Sequence, residues 1–158
     1  MNESPEIIEL DQIDKQILKI LQDNAKASLR EIESQIKLSP TSIRLRIDRL
    51  KNKNVIKKFT TLIDCRHIGY REMVMISLRV NSTQSLKDLK SRIEEMNKVK
   101  YAYIVTGEYP LFVMAKCLDH TDSLDLIEDL RNLPGVEELK TQIVLDRIKE
   151  DPSIIIPD

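Results

Sequence analysis

Residues 38–50, with the sequence LSPTSIRLRIDRL, constrain the fold of this chain most. Ser39 and Pro40 predict a helix start, because a Ser side chain caps free backbone N–H groups and Pro suits the first helical position. Three residues at i, i+4 and i+7 form one apolar stripe: Ile43, Ile47 and Leu50. Arg46 lies at the edge of the stripe, and polar or basic side chains lie elsewhere on the helix: Thr41, Ser42, Arg44 and Arg49. Such a face is suited to base edges and phosphates in a DNA major groove.

The sequence upstream predicts two more helices. Residues 10–22 have apolar side chains at helical spacing after an acidic start, which the helix dipole favours. Ser28 and Glu31 form a capping-box pattern for a second helix that ends at Ile36. Only residues 37–39 separate this helix from the next, which is the spacing of a helix-turn-helix.

Residues 55–63 follow the third helix and predict a β-hairpin, or wing, because apolar residues flank a pair of lysines. Lys57 and Lys58 lie near the tip of this hairpin, where they are suited to contact with DNA phosphates. The alternative interpretation is a three-helix bundle whose basic face is only solvated.

The distribution of charge separates these two interpretations. The whole chain has a net charge of −1, which argues against general affinity for nucleic acid. Residues 26–58, however, contain six Lys and four Arg against three acidic residues, a net charge of +7. Residues 1–25 and residues 59–158 each have a net charge of −4. The positive charge is concentrated on the predicted recognition helix and wing, as expected of a DNA-binding domain.

The second half of the chain predicts the element order βαββαβ of a ferredoxin-like fold. The strands are expected at residues 73–80, 99–106, 111–117 and 136–148, with helices at 85–96 and from Asp122 or Ser123 to Leu133. Both helices would cover one face of the sheet, so the other face needs a cover that a second copy can supply. We expect a two-fold dimer through this face, formed by the following residues or by those that alternate with them: Val74, Ile76, Leu78, Ile104 and Val113.

Residues 10–69 resemble the N-terminal domain of the Lrp/AsnC family of bacterial and archaeal transcription regulators. The matching residues are Leu10, Asp11, Asp14, Ile17, Leu18, Leu21, Ala25, Leu38, Ser39, Ile43, Arg46, Leu50, Val55, Ile56, Asp64, Ile68 and Gly69. The family often has Gly at the positions of Lys37 and Asn54. The βαββαβ order is similar to the family's C-terminal domain, which dimerises sheet to sheet and commonly assembles into octamers.

The chain is therefore predicted to be an α+β protein with two domains. A winged helix-turn-helix DNA-binding domain is expected at residues 1–64 and a linker at residues 65–71. A ferredoxin-like domain for oligomerisation and effector sensing is expected at residues 72–150, followed by a C-terminal tail at residues 151–158. Because the tail contains three consecutive isoleucines, we expect it to pack on its own domain or on a partner subunit.

The resemblance also implies an amino-acid effector site. In the family, effectors bind between dimers, around the turn that here reads TGEYP, with help from the last strand. The residues implied are Thr106, Gly107, Glu108, Tyr109, Thr141 and Gln142. Backbone N–H groups of the turn would hold a carboxylate, and Glu108 or Gln142 would hold the ammonium or side chain. Pro110 stands where the family usually has Asp, so a plain turn without a ligand remains the alternative.

Other chemistry finds little support in the sequence. Cys65 and Cys117 have no CxxC spacing and fit two free thiols in a reducing cytoplasm. His67 and His120 have no neighbouring ligands at metal spacing, so neither a metal nor a cofactor is expected. No signal peptide or apolar run of bilayer length is present. We expect a cytoplasmic protein that is not an enzyme.

The sequence thus predicts a homo-oligomeric transcription regulator that binds specific sequences of double-stranded DNA and responds to an amino acid or related metabolite. The main alternative is an architectural DNA-wrapping protein without an effector. An RNA-binding protein is less consistent with the sequence, because the strands lack the aromatic pattern of RNA-binding sheets and the chain has four Tyr and two Phe. An amino-acid-metabolising enzyme has no candidate catalytic group.

Overall fold

The computed structural model describes residues 7–81 and 83–157. The chain divides into two compact units, of which the first ends at Leu62 and also contains the segment from Asp151 onward. The second unit spans Ile63–Glu150. Residues 65–71, which were expected to be a linker, lie within this second unit, where Cys65–Ile68 form a turn of 3₁₀ helix.

Three helices form the first unit: α1 (Gln12–Asp23), α2 (Leu29–Ile36) and α3 (Pro40–Asn52). Each helix begins at a polar cap, because the side chains of Asp11, Ser28 and Ser39 accept backbone N–H groups of the first turn. The apolar stripes of the helices meet in one core: Ile17, Leu21, Ile32, Ile43 and Leu50. The predicted helix-turn-helix and its caps are confirmed.

The turns beside α3 place two residues other than glycine in the left-handed region. Lys37 ends α2 with a φ of 50°, and Asn54 follows α3 with a φ of 56°. These are the two positions at which the family that the sequence resembles often has glycine. Both turns therefore keep the left-handed geometry, although Lys37 adopts it at a steric cost that glycine avoids.

The predicted β-hairpin at residues 55–63 is wrong, since the structure describes no strand between α3 and Asp64. The backbone N–H groups of Val55 and Ile56 instead donate to the Leu50 carbonyl at 2.9 and 3.2 Å, which folds them onto the end of α3. Their side chains join the helical core and are not available for a strand. Lys57 and Lys58 consequently lie on an exposed irregular segment rather than at a hairpin tip.

The second unit contains a four-stranded antiparallel sheet in the order β2-β3-β1-β4 with two helices. The elements are β1 (Glu72–Val80), α4 (Thr83–Glu94), β2 (Val99–Ile104), β3 (Leu111–Cys117), α5 (His120–Arg131) and β4 (Val136–Ile143). This is the predicted βαββαβ order, and β1 occupies the centre of the sheet between β3 and β4. The ferredoxin-like architecture is confirmed.

The two faces of this sheet differ in their cover. Alternate residues of β1 and β3 are buried against α4 and α5: Val74, Ile76, Leu78, Leu111, Val113 and Ala115. The residues first named for the uncovered face therefore mostly belong to the helix-covered core, and it is their alternates that face away from the helices. The open face consists of Met75, Ser77, Arg79, Phe112, Met114, Tyr101 and Tyr103.

Several predicted boundaries need correction: α4 spans Thr83–Glu94 rather than residues 85–96, β2 ends at Ile104 rather than at residue 106, and α5 ends at Arg131 rather than at Leu133. Helix α5 begins at His120 and is capped by Asp119, not by Asp122 or Ser123, which lie in its first turn. Strand β4 ends at Ile143 rather than at residue 148. Strand β1 starts at Glu72. Just past the end of β4, the Val144 N–H donates a hydrogen bond to the Met73 carbonyl of β1 at 2.9 Å. Ile143 pairs with Val74, so strand β4 ends two residues short of the start of β1.

The C-terminal tail packs on α1 of the first unit rather than on the C-terminal domain. The Gln22 side-chain amide binds both backbone groups of Ile154, because its Nε2 donates to the carbonyl at 2.7 Å and its Oε1 accepts from the N–H at 3.2 Å. Ile156 is the half-buried side chain of the three isoleucines, whereas Ile154 and Ile155 are exposed.

Candidate nucleic-acid interface and effector turn

Helix α3 presents one exposed face beside its buried stripe. Ile43 and Leu50 are buried in the helical core, as the spacing predicted. Thr41 and Arg44 are exposed, and Arg44 forms no ion pair with another described residue. Ser42 is half-buried, and its Oγ accepts a hydrogen bond from the Ser39 hydroxyl at 2.9 Å. The exposed face thus keeps one unpaired guanidinium for an external anion.

The other two arginines of α3 are held by acidic residues of α1. The Nη1 of Arg46 lies 2.6 Å from Asp11 Oδ2 and 2.9 Å from Asp14 Oδ1. Arg49 forms an ion pair with the other carboxylate oxygen of Asp14 through its Nη2. The side chain of Asp14 is completely buried beneath these two guanidinium groups. The sequence predicted Arg46 and Arg49 as DNA contacts, and the structure shows both in intramolecular ion pairs.

Asp11 and Arg46 stabilise each other in their ionised forms. The Asp14 N–H and the Arg46 guanidinium hold the pKa of Asp11 below its ordinary value. Hydrogen bonds to Asp11 and Asp14 raise the pKa of Arg46. The α1 carboxylates therefore neutralise part of the positive charge that the sequence concentrates in residues 26–58.

Leu45 is a candidate contact that the sequence analysis did not include. Its side chain is 66% exposed on α3, next to Arg44. An apolar side chain at this exposed position of the recognition helix suits contact with a thymine methyl group in the major groove. The signal was present in the sequence, because Leu45 lies outside the stripe of Ile43, Ile47 and Leu50.

The turn between β2 and β3 is built around a charged cluster. Gly107 has a φ of +112°, a conformation that side-chain-bearing residues rarely adopt. The Glu108 carboxylate lies 3.1 Å from Arg79 Nη1, and the Tyr109 hydroxyl donates to Glu138 Oε1 at 2.9 Å. The Lys140 ammonium lies 3.9 Å from the centre of the Tyr109 ring, a cation–π contact. The turn is thereby tied to the start of β4.

Arg79 is the centre of this cluster and was not among the predicted residues. Its guanidinium also lies 2.7 Å from Glu138 and 3.5 Å from Glu137, and the nearby Glu138 carboxylate raises the pKa of Arg79. The only hint in the sequence was a charge within the apolar strand MVMISLRV. Its partners are at least 29 residues away in sequence, so spacing alone did not reveal them.

Thr141 and Gln142 lie further along β4 than the residues that contact the turn. Thr141 pairs with Ile76 on the helix-covered face, and Gln142 pairs with Met75 on the open face. Adjacent residues of a strand point to opposite faces, so the two side chains diverge. Within one chain, the predicted turn therefore contacts β4 at Glu138 and Lys140 rather than at Thr141 and Gln142.

The remaining predicted features are simple to place. Cys65 and Cys117 are free and buried, and burial raises the pKa of the Cys117 thiol. The described residues contain no group of three or more His, Cys, Asp or Glu side chains able to hold a metal ion. Within the same residues, every helix is too short or too polar to cross a membrane.

Comparison with known proteins decides the family. The AsnC-type helix-turn-helix model matches residues 10–51, and the Lrp/AsnC ligand binding domain model matches residues 73–154. The chain belongs to the Lrp/AsnC family. The HTH-type transcriptional regulator FL11 of Pyrococcus horikoshii is 34% identical, with 94% of this chain and 98% of that protein covered. It follows that this Lrp/AsnC protein is a DNA-binding transcription regulator.

One further relative and one solved structure have names that mention an amino acid. The leucine-responsive regulatory protein of Klebsiella pneumoniae is 24% identical, with 94% of this chain and 92% of that protein covered. A structure of the transcriptional regulator NMB0573 from Neisseria meningitidis, in complex with L-Met, superimposes with a TM-score of 0.85 at 21% identity. That match covers 93% of this chain and 97% of the Neisseria chain and shows that the two share a fold.

Proposed function

We propose that this Lrp/AsnC regulator reads DNA with the exposed face of α3 and responds to an amino acid or related metabolite. Arg44 is the observation that supports DNA reading by α3, because it is exposed on the recognition helix and forms no ion pair with another described residue. Thr41 and Ser42 at the helix start would contact base edges or phosphates, and Leu45 would contact a thymine methyl group. Lys57 and Lys58 on the exposed segment after α3 would bind the phosphate backbone.

This proposal narrows the predicted set of contacts. Arg46 and Arg49 belong to the same helix, but Asp11 and Asp14 already bind their guanidinium groups. A phosphate would have to compete with two carboxylates at hydrogen-bond distance. We therefore assign the main readout to Arg44.

The regulator would act in the cytoplasm as a homodimer or a larger homo-oligomer. The open face of the sheet supports this, since it carries apolar side chains from three strands without a covering helix. Two recognition helices related by a two-fold axis would address half-sites about 34–36 Å apart on a pseudo-palindrome.

The amino-acid class of the effector is supported by the Arg79–Glu108 ion pair at the turn. An amino acid carries an ammonium and a carboxylate a few atoms apart. It can therefore replace this ion pair with two of its own, the ammonium on Glu108 and the carboxylate on Arg79. The name of one relative mentions leucine, and the structurally similar Neisseria regulator was solved in complex with L-Met. Both are consistent with this class of effector.

The test of the DNA-binding assignment is the variant Arg44→Ala. A duplex selected by the wild-type protein from a random pool serves as the probe, and fluorescence anisotropy measures the affinity. Loss of a base contact should cost about 1–3 kcal/mol and relax the sequence preference. Arg131→Ala, which removes an exposed arginine from α5, is the matched control and should bind as wild type does. Wild-type affinity in Arg44→Ala would refute the assignment.

A further inference from the structure

The most unusual electrostatic feature of the first unit is the completely buried carboxylate of Asp14. This side chain binds two arginines of the recognition helix, Arg46 and Arg49, through different oxygen atoms. It also accepts a weak hydrogen bond from the Asp11 N–H at 3.4 Å, which closes the capping box of α1. One buried side chain thus fixes the start of α1 to the middle of α3.

The two arginines are held at the surface of the unit. Arg46 and Arg49 keep 27% and 51% of their side-chain surface exposed, whereas Asp14 has none. A nearby phosphate could therefore reach both guanidinium groups if Asp14 and Asp11 did not bind them. An ordinary buried ion pair would shield its cation as well as its anion.

Neutralised arginines contribute little to DNA binding that is independent of sequence. Such binding arises from the release of counterions, so its strength grows with the number of protein cations that meet phosphates. Binding to a specific site depends in addition on a fixed recognition helix and on base contacts. Carboxylates that occupy two guanidinium groups therefore weaken non-specific binding more than specific binding.

We propose that Asp14, assisted by Asp11, is a specificity-determining residue that withholds Arg46 and Arg49 from the phosphates of arbitrary DNA. Asp14 acts through the two arginines and does not touch DNA itself. The inference rests on the DNA-binding function proposed above. It explains why α1 carries acidic residues against a domain that is otherwise strongly basic.

The first experiment compares Asp14→Asn with the wild-type full-length protein. Affinity is measured for a random-sequence duplex and for the selected duplex, between about 50 and about 200 mM salt. On the random duplex, Asp14→Asn should steepen the slope of log K against log salt by about 0.9 for each guanidinium that gains a phosphate. The affinity for this duplex should rise several-fold, and the ratio of specific to non-specific affinity should fall.

The matched control for charge is Asp23→Asn, which removes an exposed carboxylate from the other end of α1. It should leave the slope at the wild-type value, because Asp23 is not a partner of either arginine. The double variant Asp14→Asn with Arg49→Gln should lose about half of the steepening. An unchanged slope in Asp14→Asn, or an equal steepening in Asp23→Asn, overturns the proposal.

A second comparison does not depend on the folding of Asp14→Asn. Arg49→Gln in the otherwise wild-type protein should leave the slope on random DNA unchanged, because that guanidinium is already neutralised. Lys57→Gln, which removes an exposed lysine proposed to bind the phosphate backbone, should lower the slope by about 0.9. Equal losses in the two variants overturn the proposal while the DNA-binding function stands. Absence of any duplex binding by the wild-type protein overturns the function and this inference together.

Discussion

At the scale of single residues, the backbone of Lys37 offers a direct test of stability. This residue ends α2 with φ and ψ of 50° and 44°, where a side chain costs about 1–2 kcal/mol relative to glycine. Lys37→Gly removes that strain but adds freedom to the unfolded chain. We expect a net gain of about 1 kcal/mol in the free energy of unfolding, measured by denaturant titration.

The neighbouring turn supplies the control for this prediction. Lys53 follows α3 with a φ of −85°, a conformation that any residue adopts. Lys53→Gly should therefore lower the free energy of unfolding by about 0.5–1 kcal/mol, since glycine only adds entropy to the unfolded state. A loss of stability in both variants would show that the left-handed turn at Lys37 is not strained.

Helix α3 shows which properties of a residue can be predicted from the sequence, namely its burial, and which cannot, namely its ion-pair partner on another helix. The period of 3.6 residues correctly placed Ile43 and Leu50 in the core, because burial follows from spacing along one helix. The partner of Arg46 and Arg49 is Asp14, which is 32 and 35 residues away. A charge pair between helices depends on how the helices pack, and helical spacing contains no information about it.

At the scale of elements, one side chain connects the start of α5 to the residue after β3 and the residue before β2. Asp122 accepts the Leu118 N–H at 2.8 Å and pairs with the Lys98 ammonium at 2.5 Å. These contacts hold the pKa of Asp122 below its ordinary value, the Lys98 hydrogen bond most of all. A carboxylate with a lowered folded-state pKa stabilises the protein above its unfolded pKa, and this contribution disappears as the pH falls through the folded-state value.

Asp122→Asn should therefore destabilise the protein by about 1 kcal/mol at neutral pH, because the pair with Lys98 is partly exposed. The difference from wild type should shrink as the pH falls below about 4, the ordinary pKa of an aspartate, and should vanish below the lowered folded-state pKa of Asp122. Thermal unfolding at a series of pH values measures both effects. Asp129→Asn, an exposed residue of the same helix, should show no such dependence, and a constant difference at every pH for Asp122→Asn would contradict this account.

Helices and strands were predictable wherever the spacing of apolar residues and a capping residue indicated the same element, as in the three helices of the first unit. The wing failed because Val55 and Ile56 bury their side chains against α3, and a sequence pattern does not show which surface an apolar pair will meet. Strand β4 was predicted too long for a related reason. An alternating sequence extends past residue 143, but residues form a strand only while they pair with a neighbour, and the pairing of β4 with β1 ends at Ile143.

At the scale of the whole molecule, the open face of the sheet predicts the dimer interface. Met75 and Met114 are paired at the centre of this face, on the two middle strands. Met114→Glu would place an unpaired carboxylate in the middle of an apolar interface, which costs several kcal/mol. We expect at least a hundredfold weaker dimer by sedimentation equilibrium. Leu124→Glu changes an exposed leucine of α5 in the same way and should leave the dimer intact. A stable wild-type monomer at micromolar concentration would contradict this interface.

The effector prediction also belongs to this scale, because a ligand regulates DNA binding only if it favours one assembly over another. Calorimetric titration with the standard amino acids and their close metabolites should identify a ligand at millimolar concentration or below. Glu108→Gln removes the proposed partner of the ligand's ammonium group and should lower the affinity for that ligand at least tenfold. Glu95→Gln, the same change at an exposed position near the end of α4, should not.

The ligand should also change the affinity for the selected duplex by about 5–150-fold, equivalent to a coupling of about 1–3 kcal/mol. Linkage requires the duplex to change the affinity for the ligand by the same factor, so the two titrations check each other. A ligand whose affinity survives Glu108→Gln would place the site elsewhere. If no compound binds, the Pro110 turn is only a turn, and the architectural DNA-wrapping protein becomes the better account of the second unit.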